Sequence, residues 1–382
     1  MLEKVLKGNK VYWGWLAILL ALITVGAVCY TMQLVNGLTI TGMSRDVSWG
    51  FYIAQFTFLV GVAASAVMMV IPKYLHDYKT YGRVLIFGEF NAVAMVCLCL
   101  MFIIADLGSP QRLMNIILHP TPNSMLFWDM IVLNGYLFIN IFVGWITLQA
   151  HRKEVAPPKW IKFFIYLSIP WAVSIHTVTA FLYCGLPGRG YWMDAVLASR
   201  FLASAFAAGP AFLIILLYIV RATTKFDPGK ESFKALGKTI AYAMSVNLFL
   251  VLCEVFTVNY SNIPSHLHHW HYLFFGDGVL VPWMWTSMLM GFVGVLILIV
   301  PSNRENDNTL IAGCLLVFIG AWIDKGLGMI GGGFVPNALM EITEYVPTKL
   351  ELGVSLGIYA AGFFILTLLT KIAVGVKVEI NE

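Results

Sequence analysis

The sequence predicts an all-α integral membrane protein with ten transmembrane helices, and three observations predict it. Hydrophobic residues make up 59% of the 382 residues and charged ones 12%, and the mean hydropathy is +0.81, outside the range of soluble globular domains. The apolar residues gather into ten runs separated by short connections; hydrocarbon about 30 Å thick needs roughly 20 such residues per crossing. The basic residues alternate by connection. Of 24 Lys and Arg, 18 fall at the N-terminus, in connections 2–3, 4–5, 6–7 and 8–9, and at the C-terminus. Five fall in the opposite connections, and Arg200 lies inside a run. The positive-inside rule then places both termini in the cytoplasm.

The spans are expected near residues 12–34, 49–71, 84–105, 125–149, 160–183, 197–220, 238–260, 281–300, 309–323 and 351–374. The first is too long for a signal-peptide core and is read as a retained helix. Lys73, Lys79 and Arg83 bound spans two and three. Arg152, Lys153, Pro157, Pro158 and Lys159 bound spans four and five. The basic segment Arg221–Lys238 divides the chain near its middle. The ninth span reads as short, followed by a long loop rich in Gly and Pro. Helices 2–5 and 6–9 form two groups of four with helices 1 and 10 outside them, and helices 2 and 6 run in the same direction. The spans use most of the chain as a single membrane domain, multi-pass in the cytoplasmic membrane. The net charge of +4 is the loop bias already counted, with no suggestion of nucleic acid.

Six cysteines are scattered without a CxxC pair, so they read as small apolar packing residues rather than ligands of an iron–sulfur cluster. The run SHLHHWH, with His266, His268, His269 and His271, lacks the ligand spacing of a zinc site. Only His176 lies well inside a span, whereas a membrane haem needs paired axial ligands. Phosphate-loop, zinc-protease and serine-hydrolase motifs are missing. No metal, haem or cluster of the chain's own is expected.

Charges inside a membrane usually face a protein interior or a cavity, because each costs about 2.5–3.5 kcal/mol at the bilayer centre. Asp106 and Arg112, in DLGSPQR, follow the third span, and Asp129 lies about one turn into the fourth. The three can converge at the outer face; an Asp106–Arg112 pair that pins the loop is the structural alternative. His176, Arg200 and Glu254 fall in the outer third, as proton-handling or ligand-binding groups or as interhelical hydrogen-bonders. Glu89 stands one to two turns from the cytoplasmic end, where snorkelling is the alternative. Trp49, Phe51, Tyr52 and Gln55 open the second span and suit an apolar slot for a quinone ring, or an ordinary aromatic belt.

Several segments carry a family resemblance: WGFYIAQFTFLVGVAASA (49–66), DLGSPQR (106–112), SMLFWD (124–129), SIHTVTAFLYCGLPGR (174–189), SRFLASAFAAGPAF (199–212), EVFTVNY (254–260) and the stretch 320–357 beginning GAWIDKGLGMIGGG. In order, these resemble the NrfD/PsrC family, the membrane subunits of polysulfide-reductase-type complexes. The ten-helix branch is the nearest in pattern, and within it the DsrP/HmeB-type subunit associated with dissimilatory sulfite reduction. The resemblance implies two four-helix bundles, 49–183 and 197–323, with helices 12–34 and 351–374 peripheral. It also implies a menaquinone site in the first bundle, built from Trp49, Tyr52, Gln55, Asp106, Arg112, Asp129 and Tyr136, and protonatable residues Glu89, His176 and Glu254. Tyr and Gln stand here where some relatives hold the quinone with His or Asn. An outer ferredoxin-like iron–sulfur subunit would be the partner, with multihaem cytochrome c, cytochrome b and cytoplasmic iron–sulfur subunits beyond it.

The residues by themselves suit that activity. Quinol oxidation releases two protons and two electrons, so it needs a proton acceptor near water. Asp129 and, behind it, Asp106 and His176 are the catalytic candidates, while Arg200, Glu254 and Glu89 are candidates for a proton path. A secondary transporter would instead show interrupted helices near the midplane. A structural anchor would tolerate loss of Asp129 and His176.

Overall fold

The computed structural model describes residues 2–76 and 78–381. Among the described residues the secondary structure is helical, and ten helices are long and apolar enough to cross a membrane. They are α1 (Lys10–Asn36), α2 (Phe51–Leu75), α3 (Leu85–Asp106), α4 (Met125–Arg152), α5 (Ile161–Cys184), α6 (Leu197–Thr223), α7 (Lys230–Ser261), α8 (Val281–Ile299), α9 (Asp307–Phe334) and α10 (Lys349–Asn381). The expected all-α membrane architecture is thus the one found.

Caps explain several ends. The Asn9 side chain accepts from the Tyr12 N–H at the start of α1. Asn262 takes the left-handed conformation that closes α7, with φ of 50°, a role that Asn tolerates better than most residues. Arg304 donates to the carbonyl of Leu298 at the end of α8. Pro72, Pro170 and Pro210 lie within α2, α5 and α6; neighbouring helices make such interruptions tolerable in membranes.

Two boundaries differ from the sequence expectation. Helix α7 begins at Lys230, so most of the basic dividing segment is helical and the connection before it is short. Helix α9 does not stop near residue 323. It continues through a π-helical turn, Ile323–Gly328, to Phe334. Asp324 and Lys325, expected in an outer loop, are therefore inside the span and buried. The neighbouring charges described below make this burial tolerable.

Helices α2–α5 pack on one another, as do α6–α9, and α2 and α5 meet α6. Helix α10 lies against α3 and α4 and carries α1 on its other side. Gly26 and Gly357 let the backbones of α1 and α10 touch where any Cβ would clash. The outward sides of α1, α7 and α8 present residues such as Val25, Phe249, Phe256 and Phe292, as lipid contact requires. A further helix, Pro264–Phe274, lies between α7 and α8 on the face opposite the termini, hereafter the distal face.

Candidate functional site

Three polar assemblies lie in the distal half. The first surrounds Asp129. Its side chain is 2% exposed and accepts a hydrogen bond from the Thr179 hydroxyl of α5 at 2.8 Å. One turn toward the end of α5, Tyr183 is bonded to Thr57 of α2 and is an electrostatic neighbour of both Asp129 and Asp106. Trp49 sits in the turn before α2 and packs edge-on against Tyr183 and Phe334, with Trp192 tilted alongside. The buried carboxylate thus stands close to an aromatic box built from four separate segments. His176 lies on the same face of α5, one turn deeper than Thr179. It is fully buried, and neither ring nitrogen has a protein partner.

The second assembly closes the distal ends of α2 and α10. The Tyr52 hydroxyl donates to Gln33 of α1 at 2.7 Å, and Gln33 donates to the carbonyl of Ala105 at 2.7 Å. Glu351, fully buried, accepts from the Tyr345 hydroxyl at 2.6 Å, the Gly42 N–H at 2.8 Å and the Thr348 N–H at 2.8 Å. Burial pushes the Tyr345 phenol up, so it remains a donor. Its oxygen also accepts from the Phe51 N–H at 2.7 Å, capping the first turn of α2. Asp106 ends α3 beside this network with its Oδ1 enclosed and unpartnered.

The third joins α6, α7 and α9. Arg200 is bonded to Glu254 and donates to Asp324 at 2.7 Å; all three are buried. Lys325, next in chain, donates to the carbonyl of Phe201 at 3.3 Å and lies 4.2 Å from the centre of that ring. Arg200, Ser204, Asn247, Asp324 and Lys325 line a small cavity, into which Asn247 brings an unpartnered Oδ1.

The predicted residues are therefore only partly gathered. Asp129 and Trp49 share the first assembly, with His176 beneath, and Arg200 meets Glu254. Arg112 does not join them. It lies exposed on a short turn, and among the described residues neither it nor Asp106 forms an ion pair. Water solvates the guanidinium there, so nothing drives the pairing. Tyr52 and Gln55 point away from Asp129: Gln55 accepts from Trp322 at 2.8 Å and from Tyr359 at 2.6 Å. Tyr136 is seven residues along α4, about 10 Å deeper than Asp129, and is an electrostatic neighbour of Glu89. Glu89 is buried near the other end of the membrane, beside Gly144, so it is not snorkelling. Of the four-histidine run, His269 is buried with its ring on the Val335 carbonyl while His268 and His271 are exposed, and among the described residues no group of three or more metal-type side chains converges.

Sequence reasoning missed Gln33, Thr179, Asp324, Lys325 and Glu351. A lone Gln in an apolar run and the Asp–Lys pair in GAWIDKGLG were the available signals. Thr179 and Glu351 carried none, since a Thr in a span and an acid in a helix's first turn are ordinary.

Known proteins of related sequence are membrane subunits of redox complexes. The chain is 26% identical to a Halobacterium salinarum protein named as the membrane subunit of a dimethyl sulfoxide reductase, over 92% of this chain and 89% of the relative. It is 22% identical to the Hdr-like menaquinol oxidoreductase integral membrane subunit of Archaeoglobus fulgidus, over 80% and 75%. With the menaquinone reductase integral membrane subunit of Nitratidesulfovibrio vulgaris the identity is 21%, over 93% and 89%. Residues 39–335 match the family model described as polysulphide reductase, NrfD, and the chain belongs to that family.

Proposed function

We propose that this chain is the quinone-reactive membrane subunit of a respiratory oxidoreductase, exchanging electrons between menaquinol or menaquinone and an iron–sulfur partner on the distal side. The observation that carries this reading is Asp129: a carboxylate buried about 6 Å from the distal end of α4, held by one hydroxyl and close to an aromatic box. Such a group is positioned to take a proton from a hydroquinone hydroxyl. The aromatics Trp49, Tyr183, Trp192 and Phe334 offer the apolar wall that a quinone ring requires. The unpartnered atoms of Asp106 and His176 supply polar contacts nearby. Two relatives bear menaquinol or menaquinone in their names, which favours this quinone class.

Helices 2–5 would form the quinone half and helices 6–9 a proton-handling half, with α1 and α10 peripheral. The distal face would be the outer one, by the asymmetry of basic residues, which the burial of Lys325 sharpens. Reporter fusions after Lys230 and His269 test that orientation, and a fusion near Lys230 active only outside would reverse it. The function is tested by copurification: the complex isolated through this subunit should yield extractable menaquinone and absorption from iron–sulfur or haem partners. A complex with neither would remove the reading in favour of transport or anchoring.

A further inference from the structure

The Asp129 assembly and the Arg200 assembly stand in different helix groups, and one side chain lies between them. Lys325 is 5% exposed, on the π-helical turn of α9, a geometry that recurs at functional sites. A Cβ at Gly61 of α2 would come within 3.0 Å of its Nζ, so the glycine leaves the room through which the ammonium reaches helices 2–5. Asp324 and Lys325 are consecutive and so diverge by about 100° around α9. One turns to Arg200, the other to α2. Gly61 and Lys325 lie about 14–15 Å from the distal ends of their helices, near the bilayer midplane, and His176 lies about 12 Å from its own. Lys325 is the charge that acts on His176, and Asp324, Cys99 and Arg200 are its own charged or polar neighbours.

The charges explain why a lysine is tolerated here. Arg200 is bonded to two carboxylates, which leaves that triad one negative charge in excess; the Lys325 ammonium brings the four groups to neutrality. The ammonium itself donates to a carbonyl, and its other close partner is an aromatic face. It is therefore not held by a carboxylate of its own and is able to give up a proton, which an arginine would retain.

We propose that Lys325 is the proton carrier between the two helix groups, receiving protons from His176 and delivering them to the Arg200–Glu254–Asp324 cluster. This rests on the menaquinol reading above. In the delivering step an Nζ–H proton crosses the small cavity to a carboxylate of Asp324 or Glu254. The amine and the carboxylic acid formed are both neutral. In the receiving step the amine takes a proton from the His176 imidazolium, restoring the ammonium and leaving neutral imidazole. No electrons move in either step; the two electrons of the quinol leave for the iron–sulfur partner. A Lys325 without its proton leaves the triad negative, which drives a carboxylate to take the proton.

The experiment uses the whole complex reconstituted in liposomes, with Lys325→Arg and Lys325→Met. Three quantities are read on the same preparation: menaquinol-analogue oxidation, proton movement by a trapped pH dye, and the protonated-carboxyl band in the redox-induced infrared difference spectrum. In assembled variants the ratio of protons moved to electrons transferred should fall by about 10²-fold, as for loss of a proton-transfer group, and the carboxyl band should vanish. Quinol oxidation by an external acceptor should persist. A wild-type ratio in either variant would overturn the proposal, as would a wild-type complex that oxidises menaquinol with no proton movement and no carboxyl band. A wild-type complex that oxidises no menaquinol would instead overturn the underlying functional reading, and this one with it.

Discussion

Replacing Asp129 by Asn separates proton transfer from packing. The native carboxylate is buried and takes one hydrogen bond, from Thr179 at 2.8 Å. Asn has the same size, and its Oδ1 can accept that same bond. What changes in the fold is one oxygen that becomes an NH₂ group, at a cost of about 1–3 kcal/mol if it finds no acceptor. What changes in the chemistry is larger: an amide cannot take a proton at neutral pH. Loss of a positioned general base slows a proton-limited step by roughly 10²–10⁴-fold, or about 2.7–5.4 kcal/mol of barrier at 1.36 kcal/mol per tenfold. Thr179→Val supplies the control. It keeps the carboxylate and removes the hydrogen bond, worth about 1 kcal/mol, so the rate should change by roughly fivefold. The assay is menaquinol-analogue oxidation by the assembled complex, with bound quinone and the amount of each subunit measured on the same sample. Near-normal turnover in a fully assembled Asp129→Asn complex, or equal losses in the two variants, would refute the proton-acceptor role and leave Asp129 a packing residue.

Three further outcomes are expected. Arg200→Met leaves Glu254 and Asp324 facing each other without their cation, and breaking a buried ion pair from one side costs about 3–5 kcal/mol; the yield of folded subunit after detergent extraction should drop sharply. Glu351→Gln sets an NH₂ group against the Tyr345 hydroxyl or the Gly42 and Thr348 N–H groups, losing bonds to a charged acceptor worth about 1.5–3 kcal/mol each, and the midpoint of thermal unfolding should fall. Burial holds the His269 imidazole below its ordinary pKa, so the folded chain binds fewer protons there than the unfolded one. Stability should therefore fall as pH drops below about 6.5 and level off once the folded-state pKa is passed; amide exchange over residues 264–274 at a series of pH values would reveal it, and His269→Gln should flatten the profile.

Most of the fold was legible because lipid imposes a simple rule: a crossing needs about 20 apolar residues. Nine spans stand within a few residues of their expected places at most ends. The ninth was misjudged for a physical reason. Asp324 and Lys325 look like groups that belong in water, and only Arg200, 124 residues away in sequence, makes their burial tolerable. Long-range compensation of that kind leaves no local trace. The same applies to Glu254, which is conspicuous as a membrane charge, yet its partner lies 54 residues off. Asp106 and Arg112 show the converse error. Nearness in sequence suggested a pair, but α3 turns the acid inward while the following turn holds the arginine in water. For Tyr52 and Gln55, residue type was informative and direction was not, because a helix with buried residues on nearly every side offers no polar face from which to read orientation.

The bond between Gly42 and Glu351 joins residues 309 positions apart, and the Tyr345 hydroxyl that caps α2 lies 294 positions beyond Phe51. A ribosome delivers these partners at opposite ends of its work. While the nascent chain enters the membrane, the opening turn of α2 and the stretch of chain before it have no lock, and Trp49, two residues ahead of that turn, has no fixed station. They acquire one only when the tenth helix arrives. The machinery that would handle quinol therefore matures last, at the completion of synthesis, and a prematurely released polypeptide is barred from acquiring a finished reaction chamber.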